Sequence, residues 1–219
     1  VTYKGDGDSS ADTYTLRNWS YQNLTADFTD SSDTLAPITS NTLTTSLAGY
    51  WNMDEASWTN DCSTGTVLDS SGSGNNGQSC PSSTGPTGGA TGRINNGGSF
   101  DGSNDYVVTN TSGTALTSAT ISMWVKRSTG TGTKGILQWA TALTSGNPFV
   151  LLRDVDGTLT WYVNSNYNVP GGILTDNVWT NITLVWNGTT YTAYKDGYVT
   201  GIYTGGVAFQ ANATKFWIG

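Results

Sequence analysis

The run Asn181-Ile-Thr-Leu-Val-Trp186-Asn-Gly188-Thr-Thr-Tyr191-Thr-Ala-Tyr-Lys195-Asp-Gly197-Tyr-Val-Thr-Gly-Ile202 decides the fold. Its apolar and polar residues alternate with period two, which is the pattern of half-buried strands. Asn187-Gly188 and Asp196-Gly197 interrupt the alternation. Both residues of such a pair tolerate positive φ, so each predicts a two-residue hairpin turn. Upstream, Phe149 to Val155 and Thr158 to Val163 flank Asp156-Gly157 in the same way. Further strand-like runs are Tyr50 to Met53, Val67 to Asp69, Asp105 to Thr109, Ala119 to Arg127 and Gly135 to Ala140. No stretch carries a helical period of useful length. Many short strands with Gly-rich turns predict an all-β, antiparallel two-sheet β-sandwich.

Composition agrees. The 219 residues include nine Trp and 11 Tyr, and only 11% are charged. Thr, Val, Tyr and Trp suit pleated sheets, whereas helix surfaces draw on Glu, Lys and Arg. The net charge of -7 gives no basic footprint, which argues against nucleic acid and anionic membrane surfaces as partners. No apolar run is long enough to insert into a bilayer. Val1 to Ser46 differs from the rest: it is rich in Asp and holds short alternating pieces, notably Thr13 to Phe28, that cannot close a core alone. It reads as an N-terminal extended segment or linker before a sandwich domain over 47–219.

Cys62 and Cys80 bracket a Gly/Ser/Asn-rich loop. A disulfide is expected, because a loop so polar is a poor burial site for free thiols; two unrelated thiols are the alternative. A disulfide places the protein outside the reducing cytosol, as an extracellular or cell-surface protein whose signal peptide has been removed. Glycosylation sequons begin at Asn18, Asn23, Asn110, Asn181, Asn187 and Asn212. Each is weak evidence in a chain this rich in Asn and Thr.

Several stretches resemble a known family. Gly49-Tyr-Trp-Asn-Met-Asp-Glu55, Asp69-Ser-Ser-Gly-Ser-Gly-Asn-Asn-Gly77, Ser99-Phe-Asp-Gly-Ser-Asn-Asp-Tyr-Val107 and Ala119-Thr-Ile-Ser-Met-Trp-Val-Lys126 are similar to motifs of bacterial laminin-G-like domains of the concanavalin A-like superfamily. So are Trp179 to Trp186 with Tyr194-Lys-Asp-Gly-Tyr198, and Phe216-Trp-Ile-Gly219. The resemblance covers Leu47 to Gly219 and implies a jelly roll. Family members continue into one further strand, so the resemblance also implies that the last strand is missing. Gly49 to Met53 would then be left with an open edge. A segment of Val1 to Ser46 could fill it, in the same chain or in a neighbour.

The fold hosts some glycoside hydrolases, which need a pair of carboxylates. Glu55 is the sole Glu and His is absent, so an enzyme is not expected. Asp101, Asn104 and Asp105 gather oxygen ligands of the kind Ca²⁺ prefers; the competing reading is that they form Asx-turns that shape the loop. Asp6 to Asp12 mimics the start of an EF-hand loop, but Ala11 and Arg17 stand where Gly and Glu are needed. Trp161, Tyr162, Asn164, Asn166 and Tyr167 could supply the aromatic platform and amides of a sugar site; the bland reading makes Trp161 core and Asn164 to Asn168 a loop. Two functions follow. One is a non-catalytic binding or adhesion module for glycans or surface proteins. The other is a structural subunit that assembles with copies of itself into a filament by strand complementation.

Overall fold

The computed structural model describes residues 47–110, 116, 118–142, 150–163, 167–205 and 214–219. All of these residues belong to the compact unit Thr42–Gly219. Val1 to Ser46, Asn164, Asn166 and the sequons at Asn18, Asn23 and Asn212 lie outside the described residues.

Among the described residues there are fourteen strands and no helix. An eight-stranded sheet runs in the order β1 (Gly65–Val67), β2 (Gly77–Cys80), β5 (Tyr106–Asn110), β14 (Lys215–Ile218), β7 (Thr133–Ala140), β8 (Val150–Val155), β9 (Thr158–Val163) and β10 (Tyr167–Ile173). A four-stranded sheet runs β13 (Tyr198–Thr204), β12 (Thr190–Lys195), β11 (Thr180–Trp186) and β6 (Ala119–Val125), and β3 (Thr87–Thr91) with β4 (Asn96–Ser99) forms a separate hairpin. All these ladders are antiparallel.

The core is what the alternation requires. Leu152, Leu159, Trp161 and Val163 point in from the large sheet, and Ile182, Leu184, Trp186 and Tyr191 from the small one, all at most 2% exposed. Each such side chain contributes about 1.5–3 kcal/mol on burial. Trp139 stacks on Phe216 at 5.1 Å, and Trp186 on Tyr191 at 4.3 Å. Arg127 bridges Asp154 and Asp176 at 3.3 and 3.1 Å. Asp154 also accepts the Gly157 N–H at 2.7 Å, which closes the β8–β9 turn.

Two of the three hairpin turns are as expected. Val155 pairs with Thr158 and Lys195 with Tyr198, which leaves two residues in each loop. Asp156, Gly157, Asp196 and Gly197 all have positive φ. The third differs. Trp186 pairs with Tyr191, and Asn187 is not in the left-handed region, so the loop is four residues long. The Asn187 Oδ1 accepts the N–H groups of Thr189 and Thr190 at 3.0 and 2.8 Å and closes the loop as an Asx-turn.

Gly49 to Met53 is not a strand, contrary to its alternation. The Tyr50 N–H donates to Asp69 and its carbonyl accepts from Ser70. Trp51 Nε1 donates to the Asn75 carbonyl at 2.8 Å, and Met53 has a φ of 58°. The backbone groups of Tyr50 are thus engaged by the 69–75 loop rather than by a neighbouring strand. Trp51 instead packs on Phe216 at 6.4 Å, and further along the chain Trp58 packs on Phe100 at 6.3 Å. β2, β3, β4 and β10 are strands that the sequence did not announce. Gly77 shows why β2 is glycine-led, since a Cβ there would meet Val107 Cγ1 at 2.5 Å.

Candidate functional site

The outer face of the small sheet carries the polar half of the alternation. Across β6 and β11, Thr120 faces Val185, Ser122 faces Thr183, and Trp124 faces Asn181. Across β11 and β12, Thr183 faces Tyr194 and Val185 faces Thr192. The pattern that buries Ile182 and Leu184 therefore turns Trp124 to solvent. Among the described residues, Trp124 is the one tryptophan in the set of large exposed apolar side chains, at 45%.

Two cation–ring pairs meet at this corner. The Arg93 guanidinium lies 5.2 Å from the Trp124 ring centroid, and the Lys126 ammonium 5.1 Å from that of Trp179. Lys126 follows β6 two residues after Trp124, on the same face and about 7 Å further along. Arg93 comes from the tip of the β3–β4 hairpin. That tip is tied down by Asp54, whose Oδ2 accepts from Asn95 Nδ2 at 3.2 Å and whose carbonyl accepts from Asn96 Nδ2 at 2.9 Å.

Beside the rings runs a strip of bonded hydroxyl and amide groups. The Ser122 and Thr183 hydroxyls are 2.8 Å apart. The Thr183 hydroxyl donates to Asn181 Oδ1 at 3.2 Å, and Asn181 Nδ2 reaches Ser122 Oγ and the Met123 carbonyl at 3.4 and 3.3 Å. The Asn181 N–H donates to Asp196 at 2.9 Å. The arrangement offers a half-open aromatic surface, two cations and oriented hydroxyl and amide groups. That suits recognition of a polyhydroxylated ligand. It holds no pair of carboxylates poised across a cleft.

The described members of the expected sugar set, Trp161, Tyr162 and Tyr167, do not share one face. Trp161 is fully buried and cannot serve as a platform, because it faces the opposite sheet. Tyr162 alternates to the outer face of the large sheet, where Arg153 stacks on it at 5.4 Å. Tyr167 is half-buried and stacks on Tyr203 at 4.5 Å. Burial, then the hydrogen bond and charge of Tyr167, push the Tyr203 phenol up. Asn168, read as loop, belongs to β10.

At the calcium candidate, Asp101 Oδ1 accepts from Ser103 N and Asn104 N at 2.8 and 3.3 Å, and Asp105 Oδ2 from Asp101 N at 2.8 Å. Asn104 is exposed and enters through its backbone N–H. Asp105 is 8% exposed, and its Oδ1 has no partner. The Lys134 ammonium donates to the Gly102 carbonyl at 2.5 Å. Asp101 Oδ1 and Asp105 Oδ2 are thus engaged by backbone N–H groups, the arrangement of the Asx-turn reading. Among the described residues, no three His, Cys, Asp or Glu gather as a metal site.

Cys62 and Cys80 are joined in a disulfide with Cα atoms 4.9 Å apart. Of the described sequons, Asn110 and Asn187 are exposed, whereas Asn181 is half-buried with its amide engaged. The Trp124 corner was not among the sites expected from the sequence. Thr120, Ser122, Trp124 and Lys126 share one parity with two hydroxyls and a lysine, and that signal was available.

The chain is similar in fold to domain 4 of AbnA, a GH43 extracellular arabinanase from Geobacillus stearothermophilus, solved in complex with arabinotriose. The identity is 17% and the TM-score 0.54, over 69% of this chain and 76% of that one. The HCR/D W1238A mutant gives 15% and 0.52, over 78% of this chain and 42% of that one. No curated protein sequence matches. A laminin-G-type family model, described as concanavalin A-like lectin/glucanases superfamily, matches residues 101–219. That match spans more than half of the chain and runs from the Asp101 turn to β14, and the chain belongs to that superfamily.

Proposed function

We propose that the chain is a non-catalytic carbohydrate-binding module acting outside the cytosol. The observation that carries this reading is the Trp124 corner, where an exposed indole borders the Ser122–Asn181–Thr183 strip on a rigid sheet. Sugars present apolar C–H faces and rims of hydroxyls. An indole takes the first and oriented amides and hydroxyls the second. The complex of the AbnA domain with arabinotriose is consistent with a ligand-binding role for this fold. The non-catalytic part rests on Glu55, whose two oxygens are spent on Trp58 Nε1 and Leu68 N at 2.9 and 3.0 Å. The Cys62–Cys80 disulfide supports an oxidising compartment. The test is a glycan array followed by titration calorimetry on the hits. Trp124→Ala should weaken binding by tenfold or more, on the order of 1.4 kcal/mol, with an unchanged melting curve. Undiminished binding by that variant would remove the site.

One observation favours a second reading, assembly through a sheet edge. Among the described residues, β6 ends the small sheet with one ladder partner. Its residues Ala119 to Val125 include no charge and no Pro, the usual guards of an edge strand. A strand added there would propagate head-to-tail. Sedimentation over a range of concentrations tests it: a monomer throughout would discard assembly.

A further inference from the structure

We infer that the carbohydrate taken at the Trp124 corner is acidic, with a carboxylate or sulfate group held between Arg93 and Lys126. This rests on the carbohydrate-binding reading and narrows its ligand class. The protein carries nine Lys and Arg against 16 Asp and Glu, so cations are scarce. Two of them nevertheless belong to this corner, Arg93 over the exposed Trp124 and Lys126 two residues along the chain from it, over Trp179. The described ion pairs both belong to Arg127. Among the described residues, neither Arg93 nor Lys126 has a carboxylate partner. Their contacts are the indole rings of Trp124 and Trp179.

The nearby acids are already engaged. Asp54 Oδ2 accepts from Asn95, and also from Asn52 Nδ2 at 3.5 Å. Asp196 Oδ1 accepts from Asn181 N, and Asp176 pairs with Arg127. A cation stacked on an exposed ring keeps its N–H donors free at the rim. The guanidinium presents a planar fork matched to a carboxylate or sulfate, and the ammonium adds a second charge. In a molecule of net charge -7, the local attraction for such an anion comes from these two cations. The corner therefore selects as well as binds. The neutral part of the ligand rests on Trp124 and the hydroxyl strip, and the acidic group settles at the rim.

The experiment uses the full chain and three probes: an oligogalacturonide, its carboxyl-reduced neutral counterpart, and a sulfated galactan oligosaccharide. Calorimetry should give at least one acidic probe an affinity about tenfold above the neutral one. The preference should fall with added salt. It should collapse in Arg93→Gln and in Lys126→Gln and persist in Lys215→Gln, a cation on β14 that controls for general charge. Which acidic probe binds identifies the anion. Equal binding of acidic and neutral probes, lost in Trp124→Ala, would overturn the acidic inference and leave the carbohydrate reading intact. A preference that survives both Gln variants would overturn it as well. Binding of none of the probes, together with a blank glycan array, would overturn both.

Discussion

Replacing Arg127 by Met should destabilise the domain by about 3 kcal/mol, for a reason the structure makes specific. Arg127 and Asp154 have side chains only 14% and 6% exposed, with Nε and Oδ2 3.3 Å apart. Met keeps the length of the aliphatic stem and removes the charge, so packing is nearly conserved. What remains is a buried carboxylate with the Gly157 N–H as its hydrogen-bond partner. Stranding one member of a buried pair costs about 3–5 kcal/mol. The low end applies here, because that N–H persists. Asp176 is 38% exposed, so its share is screened and small. With a urea m-value of about 2–3 kcal/mol/M for a domain of this size, the unfolding midpoint should fall by about 1 M. The double variant Arg127→Met/Asp154→Asn should recover part of the loss, because a neutral amide is cheaper to bury than a stranded carboxylate. A midpoint shift worth less than about 0.5 kcal/mol, or a double variant no better than the single, would show that the bridge is not the cause.

Asp69 accepts from Tyr50, Ser71 and Asn75 N–H groups, each at 2.9 Å. Burial raises its pKa, but these hydrogen bonds outweigh it and hold the carboxyl below its ordinary range. A depressed folded-state pKa gives stability that is present above the unfolded value, about 3.9, and is lost as pH falls through the folded one. Urea midpoints below pH 4 should therefore drop less in Asp69→Asn than in the parent; parallel pH profiles would refute this. Reduction, or the paired change Cys62→Ser/Cys80→Ser, should cost about 3 kcal/mol for a loop of 18 residues, read by urea unfolding, and titration of the unfolded, unreduced chain should find no free thiol. A calcium chelator should leave the melting temperature unchanged, since the Asp101 turn is closed by its own N–H groups; a clear drop, absent in Asp101→Ala, would restore the metal site. Tyr162→Ala should leave carbohydrate titrations unaltered, because that ring lies on the outer face of the other sheet.

Where sequence and structure agree, local and tertiary preferences coincide. β8–β9 and β12–β13 were legible because period-two alternation and Asp-Gly turns specify the same hairpins. β2, β3 and β4 were not, because Gly-Gln-Ser-Cys, Thr-Gly-Gly-Ala-Thr and Asn-Gly-Gly-Ser have neither strand propensity nor period. Their neighbours recruit them, and the close approach at Gly77 excludes larger residues. Tyr50 to Met53 misled in the opposite sense. Its apolar pattern is real, but loop 69–75 captures its backbone, and Met53 leaves the extended region. At the site, Trp124 and Lys126 could have been placed outward by parity with Ser122. Arg93 could not, since only the docking of a remote hairpin through Asp54 brings it to the ring.

The position of the corner follows from a mismatch between layers. Eight strands of one sheet face only four of the other, so the small sheet cannot cover the whole inner surface. The remainder is covered by Trp51 on Phe216 and by Trp58, which lies within 3.0 Å of the Cβ that Gly88 or Gly98 would carry. These residues bring β3–β4 alongside. Arg93 reaches Trp124 where this irregular cover meets the edge strand β6. The two supports differ in stiffness. β6 and β11 fix Trp124, Asn181 and Thr183 in a seven-residue ladder. Arg93 rides on a hairpin tip and is held to the ring by a contact of about 0.5–1 kcal/mol at an exposed site. A ligand can therefore shift the guanidinium off the indole at small cost and regain that cost by accepting its N–H donors. A rigid platform with one movable charged rim admits ligands of different outline that share a charge. Selectivity at this corner should thus rest on the acidic group more than on the shape of the sugar.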